Sequence, residues 1–111
     1  MEIKNWTIND DYTIDVNKYV NLNGQNLYNF PSFIQFGHIK STFLLIDNFM
    51  TSLKGCPYYV EGSFDCSGNE LKTLEGAPIK VKGDFYCHSN PGNFAKEYVM
   101  TISRVGGYIF V

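Results

Sequence analysis

The chain has 111 residues, with nine Lys and Arg against eleven Asp and Glu, which gives a formal net charge of −2. This length fits a single domain, and a content of 44% hydrophobic and 16% aromatic residues argues against disorder. No apolar run approaches the roughly 20 residues of a membrane span, and the first residues lack the pattern of a signal peptide. The small negative charge disfavours nucleic-acid binding.

The first pattern along the chain is typical of a β-hairpin. Residues 6–8 and residues 12–14 alternate in strand fashion around Asn9-Asp10-Asp11. We predict that residues 1–15 form an N-terminal hairpin cap, because the repeats that follow need their open end covered.

An internal repeat follows the hairpin. Residues 53–69 recur as residues 74–90, at an offset of 21, and weaker copies start at Phe43 and Val20. All copies read apolar-x-apolar-x-x-Asn/Gln-x-apolar-x-x-apolar, the pattern of a leucine-rich repeat. The sequence therefore predicts a single domain, mainly β, over residues 1–111: a short leucine-rich-repeat-like solenoid of about four rungs, with a period of 21–23, over residues 16–91.

Each repeat predicts one strand, residues 60–66 in the clearest copy. Alternation places Val60, Gly62, Phe64 and Cys66 on the core face, and we expect Gly62 to pack against a phenylalanine ring. One asparagine recurs in each later copy, and an inward-turned carboxamide would bond the backbone of neighbouring rungs. These asparagines are Asn48, Asn69 and Asn90.

The last part of the chain departs from the repeat. Apolar residues at near-helical spacing predict a helix over residues 93–104, which Gly106-Gly107 would end. Residues 108–111 would form a last strand. Residues 92–111 are thus predicted as a C-terminal helix-plus-strand cap, and with both ends closed we expect a complete chain.

The repeat string SLKGCPYYVEGSFDCSGN, the opening IKNWTINDDYTIDV and the closing GYIFV resemble short leucine-rich-repeat-like proteins of tailed bacteriophages. The resemblance covers residues 3–111. It implies the solenoid fold and a phage origin, and it implies no particular activity. Residues 39–45 depart from the usual Val-x-Gly-x-Phe-x-Cys pattern, and Leu44 and Ile46 stand where polar residues are usual.

The sequence offers little for catalysis or metal binding. Cys66 and Cys87 occupy an inward position, where thiols act as small apolar groups, although a redox or zinc role for this pair is the alternative. With only two histidines, no nucleophilic set can be assembled, and carboxylates on an open sheet stay solvated. We therefore expect no enzyme, no metal and no cofactor.

The outward face of the repeats suggests a binding surface. Leu44 and Ile46 are predicted to point outward, and exposed apolar residues grouped with aromatics and a polar rim are typical of a contact site. A neighbouring outward column of Asn17, Lys40, Glu61 and Lys82 predicts cross-strand ion pairs. The predicted partner-binding residues are Tyr19, Leu44, Ile46, Asp65, Tyr86 and His88.

Two functions fit this surface. The favoured hypothesis is a non-enzymatic protein-binding module, a phage accessory protein that binds and inhibits a host or defence protein. Three cysteines leave no closed disulfide set, so a reducing host cytoplasm is expected, without nucleic acid or membrane. The alternative is a structural or assembly protein, a homodimer or minor virion component, with residues 39–47 buried on both sides. A turn edge around Tyr58 and Tyr59 remains an alternative binding surface.

Overall fold

The computed structural model describes residues 5–111, and in that range the chain forms eleven short strands and one helix, α1 (Lys96–Ile102). In spatial order, sheet A contains β1 (Trp6–Ile8), β2 (Ile14–Val16), β4 (Phe36–Ile39), β6 (Tyr59–Val60), β8 (Lys80–Val81) and β10 (Arg104–Val105). Sheet B contains β3 (Val20–Asn21), β5 (Phe43–Leu44), β7 (Phe64–Asp65), β9 (Phe85–Tyr86) and β11 (Ile109–Phe110).

The two sheets are the two strand-bearing sides of a β-solenoid. Each turn gives one strand to each sheet, and successive turns pair in parallel, as Phe43, Phe64 and Phe85 show by lying in register. The prediction of a mainly β solenoid is confirmed. The count of four rungs is wrong, because β10 and β11 pair in parallel with β8 and β9 and so bring the solenoid to about five turns.

The clearest repeat does not form one continuous strand over residues 60–66. The chain bends at Gly62, so that β6 and β7 belong to different sheets. A Cβ on Gly62 would lie 2.5 Å from Thr42 Oγ1 and 2.7 Å from the backbone of Ser41 and Thr42. The expected phenylalanine neighbour is therefore wrong, since the glycine is required by the backbone of the preceding turn.

The core is a set of stacked columns between the two sheets. Phe64 lies between Phe43 and Phe85, with ring centroids 6.0 and 5.3 Å away, and all three rings are fully buried. Sheet A adds a column of β-branched residues opposite these rings. Its members are Val16, Ile39, Val60, Val81 and the half-buried Val105.

The predicted asparagine column closes the turns from inside. Asn69 is 4% exposed, its Oδ1 accepts from the Met50 amide at 3.0 Å, and its Nδ2 donates to the Leu45 carbonyl at 2.8 Å and the Cys66 carbonyl at 3.0 Å. Asn48 and Asn90 bond neighbouring turns in the same way. The prediction of inward carboxamides bonding adjacent rungs is confirmed.

The two ends differ from the repeats. The antiparallel partner of β1 is β2, two residues later than the predicted residues 12–14, because Tyr12 sits in the turn at a φ of 68°. Residues 1–4 of the predicted cap lie outside the described residues. The helix α1 is shorter than the predicted residues 93–104, since Ser103 is already extended and β10 starts at Arg104. Among the described residues, no helix is long and apolar enough to cross a membrane.

Candidate functional site

The outward face of sheet B carries one row of side chains across all five of its strands. The registers align the second residue of each strand. The repeat offsets of 23, 21 and 21 predict that the first four of these residues share one column, and the strand pairing confirms that register. The full row is Asn21, Leu44, Asp65, Tyr86 and Phe110.

The C-terminal end of this row is a cluster of aromatic rings, which we call the aromatic patch: Tyr86, His88, Tyr108 and Phe110. The rings of Tyr86 and Phe110 stack with centroids 4.6 Å apart and planes 10° apart. His88 and Tyr108 flank them at 6.5 Å from Tyr86 and 6.4 Å from Phe110. Tyr108 is 76% exposed and Phe110 is 42% exposed, so much of this aromatic surface faces solvent.

Asp84 links the aromatic patch to the repeats. Its Oδ1 accepts from the Tyr108 amide at 2.8 Å, and its Oδ2 accepts from the Tyr86 hydroxyl at 3.5 Å. Partial burial of the phenol and the nearby charges of Asp84 and Asp65 raise the pKa of Tyr86 above its ordinary value. Tyr86 therefore stays neutral at physiological pH and presents a stacked, uncharged ring.

Asp65 does not sit at an exposed edge of the surface as predicted. Only 9% of the residue is exposed, between Leu44 and Tyr86 of the neighbouring strands. Its Oδ1 accepts from the Ser67 amide at 3.0 Å and from the Ser67 hydroxyl at 2.6 Å. These short-range bonds stabilise the turn that follows β7. An aspartate two residues before a serine is typical of such a turn.

The predicted residues of the first two turns lie apart from the aromatic patch. Leu44 and Ile46 are half-buried. Their side chains are therefore neither fully exposed on the outward face nor fully covered by other parts of this chain. Tyr19 is 61% exposed beside β3, three strands from β9, which is about 14 Å at the usual strand spacing. Tyr86 and His88 come together as predicted, whereas Tyr19 stands alone.

Sequence analysis missed Tyr108 and Phe110. It predicted a last strand at residues 108–111 and did not align that strand with the repeats. The sequence did contain a signal for this alignment. Ile109-Phe110 lies one turn after Phe85-Tyr86 and has the same order, an apolar residue that points inward followed by an aromatic residue that points outward.

The predicted ladder of ion pairs on the neighbouring column is wrong. Within residues 5–111, Glu61 approaches His38 instead, with 3.3 Å between Oε2 and Nε2, and neither Lys40 nor Lys82 is within ion-pair distance of it. This column lies at the corner between the sheets, because Glu61 directly follows β6 and precedes the bend at Gly62.

The thiols belong to the core. Cys56, Cys66 and Cys87 are buried and unbridged, and the Cys66 thiol donates to the Tyr86 carbonyl at 3.4 Å. Burial raises the pKa of all three thiols, that of Cys87 to about 11, so none is a ready thiolate. In the described range, no three His, Cys, Asp or Glu side chains come together as a metal site would require.

The turn edge around Tyr58 and Tyr59 borders sheet A. Tyr58 is 47% exposed, and Tyr59 packs its ring 4.7 Å from that of His38. These tyrosines therefore belong to a different surface from the aromatic patch.

Comparison with known proteins adds no assignment. No protein family matches the chain, and neither characterised proteins nor solved structures show a significant match.

Proposed function

We propose that this chain is a non-enzymatic protein-binding module and that its contact surface is the sheet B face centred on the aromatic patch. The observation that carries the proposal is the stacked Tyr86–Phe110 pair beside the exposed Tyr108. Tyrosine supplies large contact area at little cost in ordering, and it is enriched among residues that dominate binding energy.

The setting of the aromatic patch supports binding. The patch is held by a parallel sheet and by Asp84, so little freedom is lost when a partner docks. Leu44 and Ile46 continue the apolar surface toward the N-terminal turns, on the far side of Asp65.

The proposal also covers the kind of partner that the chain binds and the kind of repeat that builds its solenoid. The resemblance to phage proteins is the basis for proposing a phage accessory protein that inhibits a host or defence protein in the host cytoplasm. The asparagine column and the apolar spacing support a leucine-rich-repeat-like class for this solenoid.

Affinity capture from bacterial host lysate tests the proposal, with Phe110→Ser as the binding variant. Phe110 lies on an edge strand and is 42% exposed, so the change should leave the fold intact. Leu44→Asp is a poorer choice, because the new carboxylate would enter a half-buried position in register with Asp65. Tyr28→Ser is the matched control, since Tyr28 is an exposed ring stacked on Phe49 outside both sheets.

The expected result is one partner that the wild type and Tyr28→Ser retain and Phe110→Ser loses, while both variants still unfold cooperatively with a similar, small loss of stability, because each loses one stacked ring. Loss of the partner in Tyr28→Ser alone would contradict the assignment to sheet B. Retention by both variants would do the same.

A second candidate, self-assembly, is favoured by a separate observation. The two outer strands of sheet B, β3 and β11, each have one edge unpaired within the described chain, and such edges can add a further strand. Sedimentation separates the two functions. A species that stays monomeric with rising concentration contradicts the homo-oligomer, and a concentration-dependent oligomer that Phe110→Ser dissociates favours it.

A further inference from the structure

A second surface lies on sheet A, at the C-terminal end of the solenoid. An open cleft of about 590 Å³ lies between the sheet and the end of α1. This volume falls in the range of about 300–1,000 Å³ typical of small-molecule sites. Its lining consists of Tyr58, Tyr59, Ile79, Lys80 and residues 100–104.

Two cationic side chains line this cleft. Lys80 of β8 and Arg104 of β10 are in register on neighbouring strands, and both belong to the outward row of sheet A. Like charges placed side by side on a sheet repel each other, so the arrangement costs stability unless an anion lies between them. In the part of the chain that the structure describes, no carboxylate lies within ion-pair distance of either cation.

Two carboxylates lie on this face, Asp15 on β2 at its other end and Glu61 directly after β6, one strand from β8. Both are engaged with His38: Asp15 accepts from the His38 amide at 2.8 Å, and Glu61 lies 3.3 Å from the His38 ring. The positive charge near the cleft is local, on a chain whose net charge is −2.

Ser103 provides an independent polar group. It lines the cleft, it is 5% exposed, and its hydroxyl has no hydrogen-bond partner among residues 5–111. The Ser103 amide already closes the helix by donating to the Val99 carbonyl at 2.9 Å, so the hydroxyl is not needed as a cap. A buried hydroxyl without a partner is costly. The Ser103 oxygen is enclosed by the chain as it stands, so a rotation of this side chain toward the cleft would bring it to an acceptor on a ligand and remove that cost.

The remaining walls are apolar and aromatic. Ile79 is 65% exposed, Met100 is 68% exposed and Tyr58 is 47% exposed, which is unusual for adjacent large side chains with no cover. The Lys80 ammonium lies 5.2 Å from the centre of the Tyr59 ring, and this contact holds its charge at the cleft.

We propose that this cleft binds a phosphate monoester carried on an aromatic body, such as a nucleoside monophosphate. A phosphate monoester carries about −1.5 to −2 charges at pH 7, which matches two cations, whereas a carboxylate carries only one. The exposed faces of Tyr58 and Ile79 would cover the aromatic body. A nucleic-acid strand fits less well, because a polymer needs a row of cations and this face has one pair.

The end of α1 acts against an anion, but weakly. Its last residues border the cleft, and a helix end carries at most about half a negative charge. Two full positive charges exceed that value, and α1 is only seven residues long. The field at the cleft is therefore positive.

The test is a titration followed by NMR of backbone amides, with adenosine 5′-monophosphate as the probe. The probe should saturate and shift the amides of Ile79, Lys80 and Arg104. In Arg104→Gln and Lys80→Gln the affinity should fall by about tenfold to a hundredfold, the usual worth of a hydrogen bond to a charged group. Lys40→Gln is the matched control, an exposed lysine elsewhere in the solenoid, and should bind as the wild type does.

Three further ligands decide the alternatives. Adenosine binding as well as the monophosphate would overturn the role of the anion, and inorganic phosphate binding equally well would overturn the role of the aromatic body. A short peptide ending in Trp-Asp that binds more tightly than the nucleotide would overturn the phosphate assignment in favour of an acidic peptide. Absence of any saturable shift would overturn the site. None of these results depends on sheet B.

Discussion

Asn69 and its equivalents hold the turns of the solenoid together at the level of single residues. The carboxamide joins two turns, because it accepts from Met50 and donates to Leu45 in the preceding turn and donates to Cys66 in its own turn. Backbone groups at a bend lose their sheet partners, and a buried group without a partner costs more than the net worth of a bond. Such a position could be predicted from the repeat alone, because only asparagine offers two donors and an acceptor at that length.

Asn69→Ala should destabilise the protein by about 2 kcal/mol, since it leaves the Met50 amide buried without a partner and leaves the Leu45 carbonyl with only its longer bond from Asn48 at 3.3 Å. Denaturant unfolding measures the change. Asn17→Ala is the control, because Asn17 is exposed, and its effect should stay within about 0.5 kcal/mol. Equal effects of the two substitutions would contradict the role of the column.

The buried Cys87 thiol makes stability depend on pH at the alkaline end. Burial raises its pKa in the native chain from an ordinary 9.0 to about 11. Between these values the unfolded chain has released a proton that the native chain retains, so stability is complete below about pH 9 and falls as pH rises. The free energy of unfolding should decline less steeply from pH 9 to 11 in Cys87→Ala than in the wild type. Identical slopes would show that the thiol is not shielded in the native state.

At the scale of elements, the corners between the sheets determine the architecture. Gly62 and Gly83 each place a backbone without a side chain against the preceding turn, and the Gly83 amide donates to the Gly62 carbonyl at 2.9 Å. The sequence indicated a glycine with a special role, but alternation alone could not distinguish one long strand from two short ones. The distinction depends on contacts with the turn before, which a local pattern does not contain.

Gly62→Ala should therefore destabilise the solenoid by about 1–3 kcal/mol, the usual cost of inserting a methyl group into a packed interior. The new Cβ would lie 2.7 Å from backbone atoms of Ser41 and Thr42, which cannot rotate away. Gly24→Asn is the control, because Gly24 has a φ of 61°, which asparagine tolerates, and open space around it. Thermal or denaturant unfolding compares the two, and a larger loss in Gly24→Asn would contradict the role of the corner.

At the scale of the whole molecule, the repeat predicted the register of the sheet B row through Tyr86 but not the accessibility of its side chains. The column that contains Leu44, Asp65 and Tyr86 follows from a fixed offset. The burial of Asp65 does not follow from the offset, because it depends on the side-chain conformations of its neighbours Leu44 and Tyr86. The fifth turn was also hidden, since α1 interrupts the spacing before Phe110. The cleft on sheet A could not be predicted, because it forms between residues 58–59, 79–80 and 100–104, which share no motif.

The position of both sites at the last turns has a consequence for stability within the molecule. In a solenoid each turn contacts only its neighbours, so the end turn is held from one side and opens more easily. The Cys87 amide donates to Phe110 of the last strand, whereas the Leu45 amide donates to Asp65 in the middle of the solenoid. Native-state hydrogen exchange should therefore be at least about tenfold faster at Cys87 than at Leu45, a difference of about 1.4 kcal/mol in opening free energy. Equal protection would mean that the last turn opens only with the whole chain, and the aromatic patch would then be as rigid as the core.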